Sequence, residues 1–158
     1  MSDVLRQGMK PTEFGDGRLG YRIWVAGVPE SYRRGKSKKK GYIRRVQDAA
    51  RAVVDTPLDS EELSVDIWFQ APYLERADVD NVAGPILDAL QGIAYDTDRQ
   101  VKSVRIACVS LDDRFDLDPA PWTDEEFHRL IAQDPPSFLV TIYDAPYYPG
   151  TMRWELSR

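Results

Sequence analysis

Asp78 and Asp80, in Ala77-Asp78-Val79-Asp80-Asn81, and Asp98, in Tyr95-Asp96-Thr97-Asp98-Arg99-Gln100-Val101, gather acidic side chains at two nearby points of the chain. Each point lies beside a run that reads as strand. Carboxylates a few ångströms apart resist joint ionisation unless a positive charge sits among them. Mg²⁺ is the obvious partner: a hard cation that takes oxygen ligands and works with one or two carboxylates plus phosphate oxygens. Residues two apart on an extended backbone share a face, so Asp78 and Asp80 can share a ligand if that stretch is a strand. Such a metal polarises a scissile phosphate and lowers the pKa of an attacking water. The pattern points to metal-assisted phosphodiester chemistry.

Other readings of Asp-x-Asp compete with this one. An EF-hand calcium loop needs glycine at its sixth position and glutamate at its twelfth, but those places hold Ala83 and Ala89. A nucleotide-sugar transferase also uses Asp-x-Asp with a metal, yet 158 residues leave little room for a sugar-donor fold. The plainest alternative is that these aspartates only cap a helix and fill turns. Cys108 is the single cysteine, so there is no internal disulfide and no cysteine metal cage, and its strand-like setting reads as a buried thiol. His128 is the single histidine and lies in a charged helical pattern, where a structural role is expected.

The elements that must position the aspartates follow from periodicity. Tyr21 to Val28 alternates and is closed by Gly27 and Pro29, which predicts a first strand. Ile43, Val46, Ala49, Ala50, Val53 and Val54 recur at helical spacing, which predicts an amphipathic helix from Tyr42 to Val54 with Gly35 and Gly41 as breakers before it. Leu63, Val65, Ile67 and Phe69 alternate with Ser64, Asp66 and Trp68, the pattern of a strand with one buried face. Val82, Ile86, Leu87 and Leu90 mark a short helix with Asn81 as its cap, Pro85 in or near its first turn and Gly92 closing it. Val101 to Leu111 and Phe138 to Tyr143 read as further strands, and Thr123 to Gln133 as a helix with a capping box through Glu126. The sum is an α/β (α+β) single domain: a roughly four-stranded mixed or antiparallel sheet packed by two to three helices. Residues 1–20 read as a loose leader, 21–144 as the domain and 145–158 as an aromatic tail.

Composition is that of an ordinary soluble globular protein, with 42% apolar and 30% charged residues. There is no apolar run of membrane-spanning length, and Met1–Arg6 lacks a signal-peptide core, so a cytoplasmic protein is expected. A formal charge of −5 argues at first against nucleic acid. Its distribution argues the other way. Arg33, Arg34, Lys36, Lys38, Lys39, Lys40, Arg44 and Arg45 are eight of the 21 basic residues and have no acidic neighbour between them. Such a block is an electrostatic footprint for phosphates, with a solvated, mobile loop as the bland alternative.

Asp78-Val79-Asp80-Asn81-Val82-Ala83-Gly84-Pro85-Ile86-Leu87-Asp88-Ala89-Leu90-Gln91-Gly92, followed by Asp98-Arg99-Gln100-Val101, resembles the core signature of the RusA-type Holliday junction resolvases. Gly27-Val28-Pro29-Glu30-Ser31 is similar to the turn that ends that family's first strand. The resemblance implies a RusA-like fold, a homodimer, four-way DNA junctions as substrate and Mg²⁺ as cofactor. It implies Asp78, Asp80 and Asp98 as the metal-binding catalytic residues. Asp88 matches a recurrent acidic position for which a structural salt bridge is expected, and Asp96 is one place off the family's adjacent acidic pair. One departure stands out: six residues beyond its first aspartate the family has a lysine, and here that place is Gly84. Losing a cation near developing phosphate charge can cost orders of magnitude in rate. Lys102 and Arg76 are the candidates to supply it, failing which the protein binds branched DNA with weakened or lost cleavage. The basic block from Arg33 to Arg45 is then the arm that meets junction phosphates without reading bases. Tyr32 and Tyr42 flank that block within reach of an exposed base, although core packing is the expected role of both.

Overall fold

A computed structural model describes residues 12–13, 19–29, 36–70, 79–109, 124–132 and 135–144. The order along the chain is β1 (Thr12–Glu13), β2 (Leu19–Ala26), α1 (Lys36–Val53), β3 (Leu63–Gln70), α2 (Val79–Leu90), β4 (Val101–Val109), α3 (Asp124–Ile131) and β5 (Ser137–Asp144). The strands form one sheet in the order β1-β2-β5-β3-β4, with β1 a two-residue fringe on four full strands. Only β3 and β4 are parallel; β5 runs against both β2 and β3. The sheet is therefore mixed. Thr12–Glu13 pairs with β2 from within the segment expected to be a loose leader.

One face carries the apolar core. Tyr21, Ile23 and Val25 of β2, Leu63, Val65, Ile67 and Phe69 of β3, and Phe138, Val140 and Ile142 of β5 alternate onto it. Tyr42, Val46 and Ala50 of α1 and Val82, Ile86, Ala89 and Leu90 of α2 close over them. Tyr42 packs against Phe138 with ring centroids 6.3 Å apart, in the core rather than on a base.

α1 starts six residues before the predicted helix and takes in Gly41 and the block from Lys36 onward. Lysine is a good helix former, and one interior glycine costs only about 1 kcal/mol. Burial of Tyr42, Val46 and Ala50 along one stripe outweighs it. Lys36 to Arg45 is thus a helix, not a flexible arm; Arg33 and Arg34 lie outside the described residues.

The prediction of a single buried face for β3 is also overturned. Ser64, Asp66 and Gln70 are buried on the second face. That face is covered by α3, whose Glu126 takes both carboxylate oxygens to Nη1 of Arg22 at 2.9 and 3.1 Å. The guanidinium of Arg129 lies 4.6 Å from the centroid of the Trp24 ring. Asp66 accepts hydrogen bonds from Arg105 at 2.7 Å and from the Tyr143 hydroxyl at 3.2 Å. A polar residue in an alternating run looks solvent-facing; here its partners come from the two flanking strands, far off in sequence.

Candidate functional site

β3, α2 and β4 form a β-α-β unit, and it carries the predicted aspartates. α2 begins at Val79, so Asp80 and Asn81 belong to its first turn. Asp80 is therefore helical, not extended, and Asn81 is inside the helix rather than its cap. Asp78 and Arg76 lie outside the described residues. Pro85 lies in the second turn rather than the first. It has no N–H to offer the Asn81 carbonyl, so one rung of the helix is missing beside Gly84. Pro85 and Ile86 are buried, and this apolar anchorage keeps α2 continuous across the gap.

Gly92 ends α2 at φ +79°, a conformation that glycine adopts without strain. Its N–H donates to the Tyr95 carbonyl at 2.7 Å. Tyr95 is buried, and its hydroxyl donates to the Leu87 carbonyl at 2.7 Å. Burial pushes its phenol well above the ordinary range, and the charges of Asp88 and Asp98 add to the rise. Both carboxylates are therefore close enough to act on the same phenol.

Asp98 is exposed and opens a single 3-10 turn, Asp98–Gln100, that leads into β4. The Gln100 amide holds this turn: its Oε1 accepts from the N–H of Asp96 at 2.9 Å and of Thr97 at 3.0 Å. Its Nε2 donates to the carbonyls of Leu58 at 3.0 Å and Ser60 at 2.9 Å. Lys102 is exposed just beyond. Val101 pairs with Leu63 and Ser103 with Ser64, so Lys102 is the extra residue of a bulge at the start of β4. Bulges re-aim side chains, and this one accompanies Asp98.

The unit separates the aspartates. α2 runs back against the direction of β3 and β4, so Asp80 stands at the end where β3 finishes and Asp98 at the end where β4 starts. Asp88, beside Tyr95 at the Asp98 end, is eight residues along the helix from Asp80, about 12 Å at 1.5 Å per residue. Asp88 and Asp98 both act on Tyr95, whereas Asp80 stands at the other end of α2. Among the described residues no three His, Cys, Asp or Glu side chains gather at one point.

The charges divide the same way. Asp55, Asp59, Glu61, Glu62, Asp88, Asp96 and Asp98 are exposed around the start of β3 and β4. The basic start of α1 is at the opposite end, beside the finish of β2. Lys40 and Arg44 are exposed, and the Arg44 side chain is 82% accessible with only a long 3.9 Å pair to Asp48. Arg45 has a structural task. Its Nη2 donates to the Val28 carbonyl at 3.1 Å, and its guanidinium lies against Gly27, which has φ +92°. Any side chain at Gly27 would press on that guanidinium, which accounts for the glycine in the Gly-x-Pro turn.

Two side-chain groupings escaped the sequence reading. Asp66–Arg105–Tyr143 left no local signal. Gln100 did, as the Gln-Val that follows the second aspartate cluster, but two of its four hydrogen bonds reach Leu58 and Ser60, some forty positions away.

A family model described as endodeoxyribonuclease RusA matches residues 17–118, which take in β2, α1, β3, α2, the Asp98 turn and β4. The chain belongs to the RusA family. RusA proteins are endodeoxyribonucleases that resolve Holliday junctions. Comparison with curated proteins returns no match. No helix among the described residues is long and apolar enough to cross a membrane.

Proposed function

We propose that this protein is a Mg²⁺-dependent, structure-specific endonuclease that nicks four-way DNA junctions in recombination and repair in the cytoplasm, acting as a homodimer. The observation that carries the reading is the β-α-β unit of a RusA family member, with Asp80 and Asn81 in the first turn of α2 and Asp98 fixed in the turn before β4. The donors are carboxylate oxygens without histidine or cysteine, which suits Mg²⁺ and not a softer metal. Asp78, Asp80 and Asp98 would hold the ion, which when bound supplies charge to polarise the phosphate and activate water. Since Asp80 and Asp98 stand at opposite ends of α2, a site that uses all three draws on two chains. The acidic end of one chain would then meet the basic end of the other.

α1 is the DNA-binding element in this reading. Its first turn contains no acidic residue, and Lys36, Lys38, Lys39 and Lys40 fall in its first five positions, at the positive end of the helix dipole. Phosphates relieve both charges at once. Lys40 and Arg44 give this surface its exposed cations, and Arg45 braces α1 against β2. Gly84 supports the alternative, a branched-DNA-binding protein with weakened or lost cleavage. Lys102, on its bulge, is the cation best placed to compensate.

A labelled four-way junction with Mg²⁺ tests the reading. The parent nicks it, and Asp80→Asn or Asp98→Asn alone lowers the rate by about 100-fold or more. Mixing those two variants restores part of the activity, because a mixed dimer keeps one complete site. No nicking by the parent, with activity in Gly84→Lys, would instead establish the binding protein.

A further inference from the structure

We propose that Gln100 is the positioning residue for Asp98: one amide ties the turn bearing the carboxylate to the segment that leads into β3. The inference rests on the reading of Asp98 above and goes beyond it. Oε1 faces two N–H donors, on Asp96 and Thr97, and Nε2 faces two carbonyls, on Leu58 and Ser60. A flipped amide would set donor against donor and acceptor against acceptor, so the hydrogen bonds themselves fix its orientation.

The clamp acts where it matters for a ligand. Asp98 lies between Thr97, whose N–H the amide accepts and whose carbonyl takes the Gln100 N–H at 3.1 Å, and Gln100 itself. Below the turn, the Leu58 N–H donates to the Ala94 carbonyl at 2.8 Å, and the Tyr95 hydroxyl grips α2. The turn is thus stapled to the segment that leads into β3 and to the helix of the unit. The Asp98 carboxylate stands exposed on that rigid base. An exposed turn without such a brace would let a metal-binding carboxylate wander beyond the roughly 0.5 Å that a working site tolerates. Groups that orient a ligand are worth about 10- to 100-fold in metal affinity or activity.

The test compares the parent with Gln100→Leu, Gln100→Glu and Asp98→Asn. Mn²⁺ binding is read by electron paramagnetic resonance, junction affinity in Ca²⁺, nicking across a Mg²⁺ series, and folding by thermal melting. Gln100→Leu is expected to weaken Mn²⁺ binding about 10- to 100-fold and to raise the Mg²⁺ requirement in parallel, with junction affinity within about twofold of the parent. Gln100→Glu keeps the acceptor for the turn and loses the donors to Leu58 and Ser60, so it falls between the two. A folded Gln100→Leu with parental Mn²⁺ affinity and Mg²⁺ requirement overturns the proposal. If that variant does not fold, parental values in Gln100→Glu do the same. Asp98→Asn separates the two failures: if it nicks at the parental rate, the site reading has failed and the role of Gln100 with it. If it is inactive while both Gln100 variants match the parent, only the positioning role is lost.

Discussion

The two ends of the β-α-β unit differ in charge, in local order and in the carboxylate each presents. At one end the lysine-rich start of α1 accompanies the first turn of α2, where Asp80 sits ahead of a rung broken by Pro85. At the other, exposed acids surround Asp98, and its turn is pinned by the four hydrogen bonds of Gln100. A phosphate backbone is attracted to the first end and repelled by the second. The acidic end therefore becomes part of a DNA site only alongside a cation or the basic end of another chain. In the proposed reading, one chain would hold two half-sites rather than one site.

The largest effect expected from disturbing this contrast is on junction binding. Lys40→Glu combined with Arg44→Glu should weaken junction affinity at least about tenfold and reduce the slope of log K against log salt by about 2. Glu61→Gln combined with Glu62→Gln should change affinity by less than about twofold. Equal and opposite effects of the two pairs in a salt titration would show that the ends do not differ in function.

The contrast also depends on β4 staying in register on β3. Arg105→Ala should lower unfolding stability by about 2 kcal/mol in denaturant melts, since it strips the ion-pair partner from a buried carboxylate. The Asp66 side chain is only 7% accessible, while that of Arg105 is 52% accessible, which keeps the loss below that of a fully buried pair. A loss under about 0.5 kcal/mol would mean that Tyr143 suffices for Asp66.

A smaller gain is expected at the basic end. A Cβ at Gly41 would meet nothing within 4 Å, so Gly41→Ala should stabilise the protein by about 0.5–1 kcal/mol. Destabilisation would imply that the start of α1 is not helical in solution.

The smallest effect belongs to the acidic end. Burial raises the Asp144 carboxyl above its ordinary pKa, a Ser60 hydrogen bond opposes the rise, and the Asp59 charge adds to it. A carboxyl raised in the folded state favours folding while protonated; that contribution is full below the ordinary pKa and is lost as pH rises through the folded value. Asp144→Asn should thus melt about a degree or less above the parent at neutral pH, with no such gain in acid. A variant that melts lower at neutral pH would place the carboxylate in a favourable interaction instead.

Much of the fold was legible because its signals are local. The period of Val46, Ala50 and Val53 marks a helix, and that of Leu63, Val65, Ile67 and Phe69 a strand, wherever they pack. The residue types in Asp78-x-Asp80-Asn81 and Asp98 likewise carried the family in the sequence itself. Gly41 misled because a breaker acts locally while the apolar stripe that overrides it acts through the core. Asp66 misled because its arginine and tyrosine partners come from strands that only the sheet brings together. The sequence by itself determined the main helices and strands and which carboxylates, cations and family they bring. Only the tertiary structure decided that α2 reverses between parallel strands, setting Asp80 and Asp98 at opposite ends, and that the lysines ride on a helix. The direction of an element depends on what it packs against, and no local pattern of residues encodes that.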